Sequence, residues 1–224
     1  MLSLRSTHCS ASLPRATSLM FVMLALVTLA SCNSGPARVQ QPYIDAGGAG
    51  SLAMETYDTN GDGVVSGEEL EKAPGLKAAL SRLDANGDHA VSADEVADRV
   101  RAWKDMKTGL ASVRCHVTLD GRPLAGAKVV FEPETFLGGE VKTATGVTNQ
   151  YGDAAPTVPP EDRPAPNLPG GVHFGLFKVR ISKDANGAEM LPVRYNTETV
   201  LGQEISYDDP GMVNNNMTFT LKSQ

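Results

Sequence analysis

Cysteine, histidine and tryptophan are scarce in this chain, at 3, 4 and 1 of 224 residues. Cys9, Cys32 and Cys115 form no Cys-x-x-Cys, and the histidines form no His-Glu-x-x-His. Gly-x-Ser-x-Gly and the glycine-rich phosphate loop are missing as well. These gaps remove the catalytic sets that can be read from spacing, so the expectation is a protein that is not an enzyme. Long apolar runs are also lacking. The longest, SLMFVMLALVTLA from Ser18 to Ala30, has 13 residues, short of the roughly 20 that a membrane-spanning helix needs. Nor is there an excess of basic charge: 20 Lys and Arg stand against 26 Asp and Glu, a formal charge of −6. The acidity is concentrated, with 12 acidic and 6 basic residues between Leu52 and Met106, against 13 and 11 from Lys107 onward. Concentrated negative charge argues for cations as partners and against nucleic acid.

What is present is a repeat. DTNGDGVVSGEE from Asp58 to Glu69 returns 26 residues later as DANGDHAVSADE from Asp84 to Glu95. In each, oxygen-bearing side chains fall at places one, three, five, nine and twelve. Asp, Asn and Gly also make ordinary polar turns that bind nothing, but two loops sharing one oxygen register, each with an acid at the twelfth place, are a cation-binding pattern.

The pair resembles EF-hands. That resemblance implies Ca²⁺ as the ion, with Asp58, Asn60, Asp62, the Val64 carbonyl, Ser66 and Glu69 as ligands in the first loop. In the second the same places hold Asp84, Asn86, Asp88, Ala90, Ser92 and Glu95. An all-oxygen cage of six to eight ligands suits Ca²⁺ better than Mg²⁺. Val65 and Val91, both at the eighth place, are expected side by side in a short antiparallel bridge. One departure stands out. The sixth place is Gly63 in the first loop and His89 in the second. A left-handed backbone at a residue with a Cβ costs about 1–2 kcal/mol, which predicts roughly tenfold weaker binding in the second loop.

The chain opens with Arg5, Arg15 and no acidic residue before Cys32, then the apolar run, then Leu29-Ala30-Ser31-Cys32. Basic region, apolar core and small residues before a cut are the parts of a signal peptide. Leu-Ala-Ser-Cys resembles the lipobox of bacterial lipoproteins, which implies cleavage after residue 31, a lipid on Cys32 and an exported protein held to the cell envelope by that anchor. A plain cleavage site with Cys32 incidental is the alternative. Under the lipobox reading Cys115 is left without a disulfide partner, and the mature chain keeps 18 basic against 26 acidic residues, a formal charge of −8.

Residues 32–50, rich in Gly, Pro, Ser and Gln, read as a flexible tether with a reach of about 20–25 Å. Residues 51–107 read as the calcium module. Leu76, Ala79, Leu80 and Leu83 recur at helical spacing before the second loop, and Val96, Val100 and Trp103 after it. Ala73-Pro74-Gly75 should end one helix and start the next, and Trp103 is expected to plug the core. From Val113 the period becomes two. Val113, Cys115, Val117 and Leu119 begin a run of strands continued by Ala127, Val129 and Phe131, by Phe177, Val179 and Ile181, and by Met217, Phe219 and Leu221. Turns such as Asp120-Gly121 separate them. The fold expected for 113–224 is an all-β antiparallel sandwich.

VTLDGRPLAGAKVVFEP (117–133), GVTNQYGDA (146–154), GLFKVRIS (175–182) and LPVRYN (191–196) resemble the carboxypeptidase regulatory-like, or transthyretin-like, domain. The likeness implies fold and not activity. A long Pro-rich stretch, TVPPEDRPAPNLPGGVH, precedes the third strand and reads as a rigid decoration or a binding loop. Iron-dependent ring-cleaving dioxygenases share a related sandwich, and Tyr151, Tyr195, His116 and His173 could be cast in their roles, but the closely spaced His pair of that family is missing. The expectation is a calcium-binding, lipid-anchored envelope protein with a structural or adhesive role. The alternative is a calcium-responsive module that presents the sandwich to an envelope protein or glycan. Chelation is expected to melt the helical part and leave the β part folded.

Overall fold

Two apolar periods lay out the architecture, near 3.6 residues up to Trp103 and two from Cys115 onward. The computed structural model describes residues 41–163, 169–214 and 217–224. Its helical region has α1 (Ala46–Tyr57), α2 (Gly67–Lys72), α3 (Pro74–Leu83) and α4 (Ala93–Asp105). Strands β1 (Val64–Val65) and β2 (Val91–Ser92) lie between them and pair antiparallel, with Val65 opposite Val91 as expected. Ala73 separates α2 from α3, and Pro74 takes the first position of α3, where its missing N–H costs no hydrogen bond.

The tether reading needs correction over its last residues. Ile44 is buried, and α1 begins at Ala46, inside the stretch whose composition predicts a flexible linker. The reason is close packing. A Cβ on Gly50 would lie 2.2 Å from the Ala93 carbonyl oxygen, so α1 meets the start of α4 backbone to backbone. Gly50, part of what looks like linker composition, is the small residue this crossing requires, and Ala46, Ala49 and Ala53 of the same helix are buried.

The β region holds β3 (Cys115–Leu119), β4 (Arg122–Pro123), β5 (Lys128–Pro133), β6 (Ala144–Val147), β7 (Asp153–Ala154), β8 (Gly175–Ser182), β9 (Asp184–Ala185), β10 (Ala188–Glu189), β11 (Gly202–Ile205), a one-turn helix α5 (Pro210–Val213) and β12 (Met217–Leu221). One sheet has the order β11-β8-β5-β6, all antiparallel. The other is β12-β3-β4, with β7 also on β3, and β9 and β10 form a separate hairpin. The Phe131 ring of the first sheet meets Phe177 at 6.0 Å and Phe219 of the second sheet at 6.2 Å, both edge-on.

The expectation of wholly antiparallel strands is corrected at one ladder, where β3 and β12 run parallel from Met217 opposite Cys115 to Leu221 opposite Leu119. No tight turn joins them, so no hairpin dictates opposite directions, and an alternating pattern carries no information about direction.

Helices and sheets share one buried core, and the described residues belong to one compact unit. A Cβ on Gly202 would lie 1.7 Å from the Pro74 carbonyl oxygen, so β11 runs directly beneath the first turn of α3. The molecule is therefore a mixed helix-and-sheet protein, with five helices and several mainly antiparallel sheets among the described residues. None of those helices is long and apolar enough to cross a membrane.

Candidate metal centre

The first loop folds around its own side chains. Asp58, following the last residue of α1, accepts from the Gly61 and Gly63 amides at 2.7 and 2.9 Å. Asn60 Oδ1 accepts from the Asp62 amide at 2.8 Å, and Asp62 Oδ1 from the Val64 amide at 3.1 Å. Glu69, in the first turn of α2, turns back over the loop. Its Oε1 accepts from the Thr59 and Asn60 amides and the Thr59 hydroxyl, and its Oε2 from the Ser66 amide. Carboxylate oxygens of Asp58, Asp62 and Glu69 thereby come within 4.8 Å of one another. Burial alone would raise the Glu69 carboxyl, but donors from Ser66, Thr59 and Asn60 outweigh it and hold the group below its ordinary range. It is ionised at neutral pH, as an oxygen ligand must be.

The second loop repeats the scaffold without gathering the triad. Asp84 accepts from the Gly87, Asp88 and His89 amides, which outweigh the effect of burial and hold its carboxyl below the usual value. Asn86 Oδ1 accepts from the Asp88 amide, and Asp88 Oδ1 from Ala90, which is buried just before β2. Glu95, like Glu69, caps the helix that follows its loop. Its Oε2 accepts from both the amide and the hydroxyl of Ser92, whose Oγ in turn accepts from the Glu95 amide, a reciprocal cap on α4. Only the Ala85 amide, at 3.1 Å, draws Glu95 Oε1 toward the loop's start, where Glu69 Oε1 has three donors. Among the described residues, Asp58, Asp62 and Glu69 are the one set of three metal-ligating side chains so gathered. His89 takes φ +64° where Gly63 takes +91°, so the left-handed position anticipated for the histidine is present.

No family model, curated protein or solved structure matches this chain.

Two buried carboxylates from the β region grip the segments that carry the loops. Glu134, fully buried, accepts from the Tyr57 hydroxyl at 2.5 Å and the Gly75 amide at 3.0 Å, with Lys178 Nζ at 3.5 Å. Tyr57 immediately precedes Asp58. Burial pushes the Glu134 carboxyl up despite these donors, and burial, with the adjacent Glu134 charge, also pushes up the Tyr57 phenol. Glu204, also fully buried, accepts from Arg82 Nε, from Arg99 Nε at 2.6 Å and from the Trp103 indole N–H at 2.8 Å. Arg82 lies two residues before Asp84, and Arg99 four after Glu95. Arg99 also forks onto Asp208 at 2.6 and 2.8 Å, and Arg82 reaches Asp209 at 2.8 Å. Removing one partner from such a buried network costs about 3–5 kcal/mol, because the other charge is left unpaired. Trp103 is a core residue, as expected, and it also donates into this network.

Sequence reasoning passes over Glu134, Glu204, Arg82 and Arg99. A signal exists for the arginines. Arg99 lies three residues after Val96 and four before Trp103, and Arg82 three after Ala79, so both sit on apolar stripes where a charge needs a buried partner. The four residues weighed for a ring-cleaving iron site are dispersed. His116 Nδ1 is 2.8 Å from Asp153 on a half-exposed face, His173 is buried in a different cavity, Tyr151 is exposed, and the Tyr195 hydroxyl accepts from the Lys222 amide. Cys115 is buried and free, its thiol pushed up to about 12 by burial. Cys32 lies outside the described residues.

Proposed function

We propose that this protein binds Ca²⁺ through an EF-hand pair and uses the ion to fix its fold, as a lipid-anchored protein of the bacterial cell envelope with a structural or adhesive role. The observation that carries the reading is the convergence of Asp58, Asp62 and Glu69 in a loop tied by the Val65–Val91 bridge to a second loop of the same register. The donors are all oxygen, which fits Ca²⁺ and gives no preference to thiolate- or imidazole-seeking metals. Asp58, Asn60, Asp62, the Val64 carbonyl, Ser66 and Glu69 would hold the first ion, and Asp84, Asn86, Asp88, the Ala90 carbonyl, Ser92 and Glu95 the second. The ion supplies positive charge that relieves repulsion among the gathered carboxylates.

The β region is read as a transthyretin-like sandwich, supported by the contact of Phe131 with Phe219 between the sheets. The two buried carboxylate clamps favour a fixed structural role over a sensor, because opening the helices would strand Glu134 and Glu204. The lipobox at Cys32 is the support for the anchor. Calorimetry with Ca²⁺ tests the central claim. Two binding events are expected, at about 10⁻⁴–10⁻³ M as for extracellular modules, and Glu69→Gln should abolish the stronger one. Absence of binding heat at millimolar Ca²⁺ overturns the reading.

A further inference from the structure

Strand β12 is the outer strand of its sheet, paired with β3 on one side. The Leu221 carbonyl accepts from the Asp120 amide at 3.0 Å, so the backbone groups of Met217, Phe219 and Leu221 face β3. Alternation along the strand turns those of Thr218 and Thr220 the other way. Among the described residues nothing hydrogen-bonds to the Thr218 and Thr220 amides and carbonyls on that side. One step further the same side is closed. The Lys222 amide donates to the Tyr195 hydroxyl and the Lys222 carbonyl accepts from Arg194 Nη2, both at 3.0 Å. Proteins blunt such an edge with Pro, Lys or a bulge, and Met217–Leu221, in unbroken register with β3, has none of these.

The open edge lines a groove of about 400 Å³ whose far wall is Lys77 and Ala78 of α3 with Val200 and Leu201 ahead of β11. Val200 is exposed there. A strand added along β12 would lay one row of side chains against this apolar wall and the other on the outer face of the sheet, beside Thr218 and Thr220. Cations flank that outer row. Arg114 lines a cavity with His116 and Thr218 at one end, and Lys222 continues the Thr218 and Thr220 row at the other, with Arg194 beside it. Among the described residues Arg114, Arg194 and Lys222 make no ion pair. The carboxylates nearby are engaged: Asp153 with His116, Glu71 with Lys77, and Asp120 with the Ser223 amide and the Lys222 charge. Two copies of this chain joined edge to edge would set cations against cations in either direction, Arg114 against Lys222 or each against itself. We propose that the open edge of β12 is a docking site for an extended acidic segment of another protein, taken up as an added strand with apolar side chains toward Val200 and carboxylates toward Arg114 and Lys222.

The test adds a synthetic peptide of alternating Val and Glu to the full chain in Ca²⁺, set against a peptide of alternating Val and Lys. The acidic peptide should bind at least about tenfold more tightly, and it should slow hydrogen exchange at the Thr218 and Thr220 amides. Thr220→Pro removes an outward amide and no bond to β3, a place where an edge strand tolerates proline, so it should abolish peptide binding while the melting temperature holds. Arg114→Glu with Lys222→Glu, at exposed positions, should invert the preference in favour of the basic peptide, and this variant decides if the proline variant does not fold. Unprotected Thr218 and Thr220 amides at millimolar acidic peptide, or equal affinity for the two peptides, overturns the proposal. A dimer that protects the same amides without peptide overturns it too, by giving the edge to a second copy. None of these results bears on whether the loops bind Ca²⁺.

Discussion

At the scale of single residues, the difference between the loops comes down to His89 and to how many donors draw each terminal glutamate over its loop, three for Glu69 Oε1 and one for Glu95 Oε1. Both loops carry three acidic ligands, so charge alone predicts equal sites. With His89 at φ +64°, His89→Gly should relieve left-handed strain and strengthen the second site by up to about tenfold. A two-site calorimetric titration on single-loop knockouts reads this, and identical constants before and after the substitution would sink the strain argument. Asp208 gives a second residue-scale prediction. Its fork with Arg99 holds its carboxyl down to about 2 from an ordinary 3.8. The carboxylate therefore contributes stability that is present above pH 3.8 and lost as the pH falls toward 2. The stability advantage of wild type over Asp208→Asn should shrink across that window in urea melts, and an advantage independent of pH would refute it.

At the scale of elements, α1 tests how composition misleads. Gly47, Gly48 and Gly50 argue for a tether because composition does not distinguish a flexible linker from a helix stripped of side chains for close contact. Gly50→Ala should destabilise the protein by about 1–3 kcal/mol, since the Ala93 carbonyl cannot move aside cheaply. A melting temperature equal to wild type would return residues 46–50 to the tether. The main strands are legible because Val117, Val129, Phe131, Val179 and Ile181 alternate cleanly, and the loop register is legible because the same oxygen-bearing residue types recur at fixed spacing in both loops. Gly202–Ile205 is not, since its buried Glu204 breaks the apolar pattern. The direction of Met217–Leu221 is not either, because pairing direction is decided by distant stretches of the chain.

At the scale of the whole molecule, the buried grips on Tyr57, Gly75, Arg82 and Arg99 change what metal removal should do. Separate modules would melt separately. Here the segments flanking both loops end on carboxylates inside the β region, so chelation should lower the stability of helices and sheets together, in one transition with coincident far- and near-ultraviolet signals. A helical loss that leaves the sheet transition in place would restore the picture of two independent modules. The parallel ladder of β3 and β12 has a mechanical consequence. Chain entering ahead of Cys115 and chain leaving beyond Leu221 depart from opposite ends of the same five-residue ladder. Tension between them pulls the strands lengthwise past one another and loads every rung at once, where an antiparallel hairpin would unzip rung by rung. That geometry makes the pair a shear clamp, stiff along the strand axis in a way that a hairpin of the same length is not.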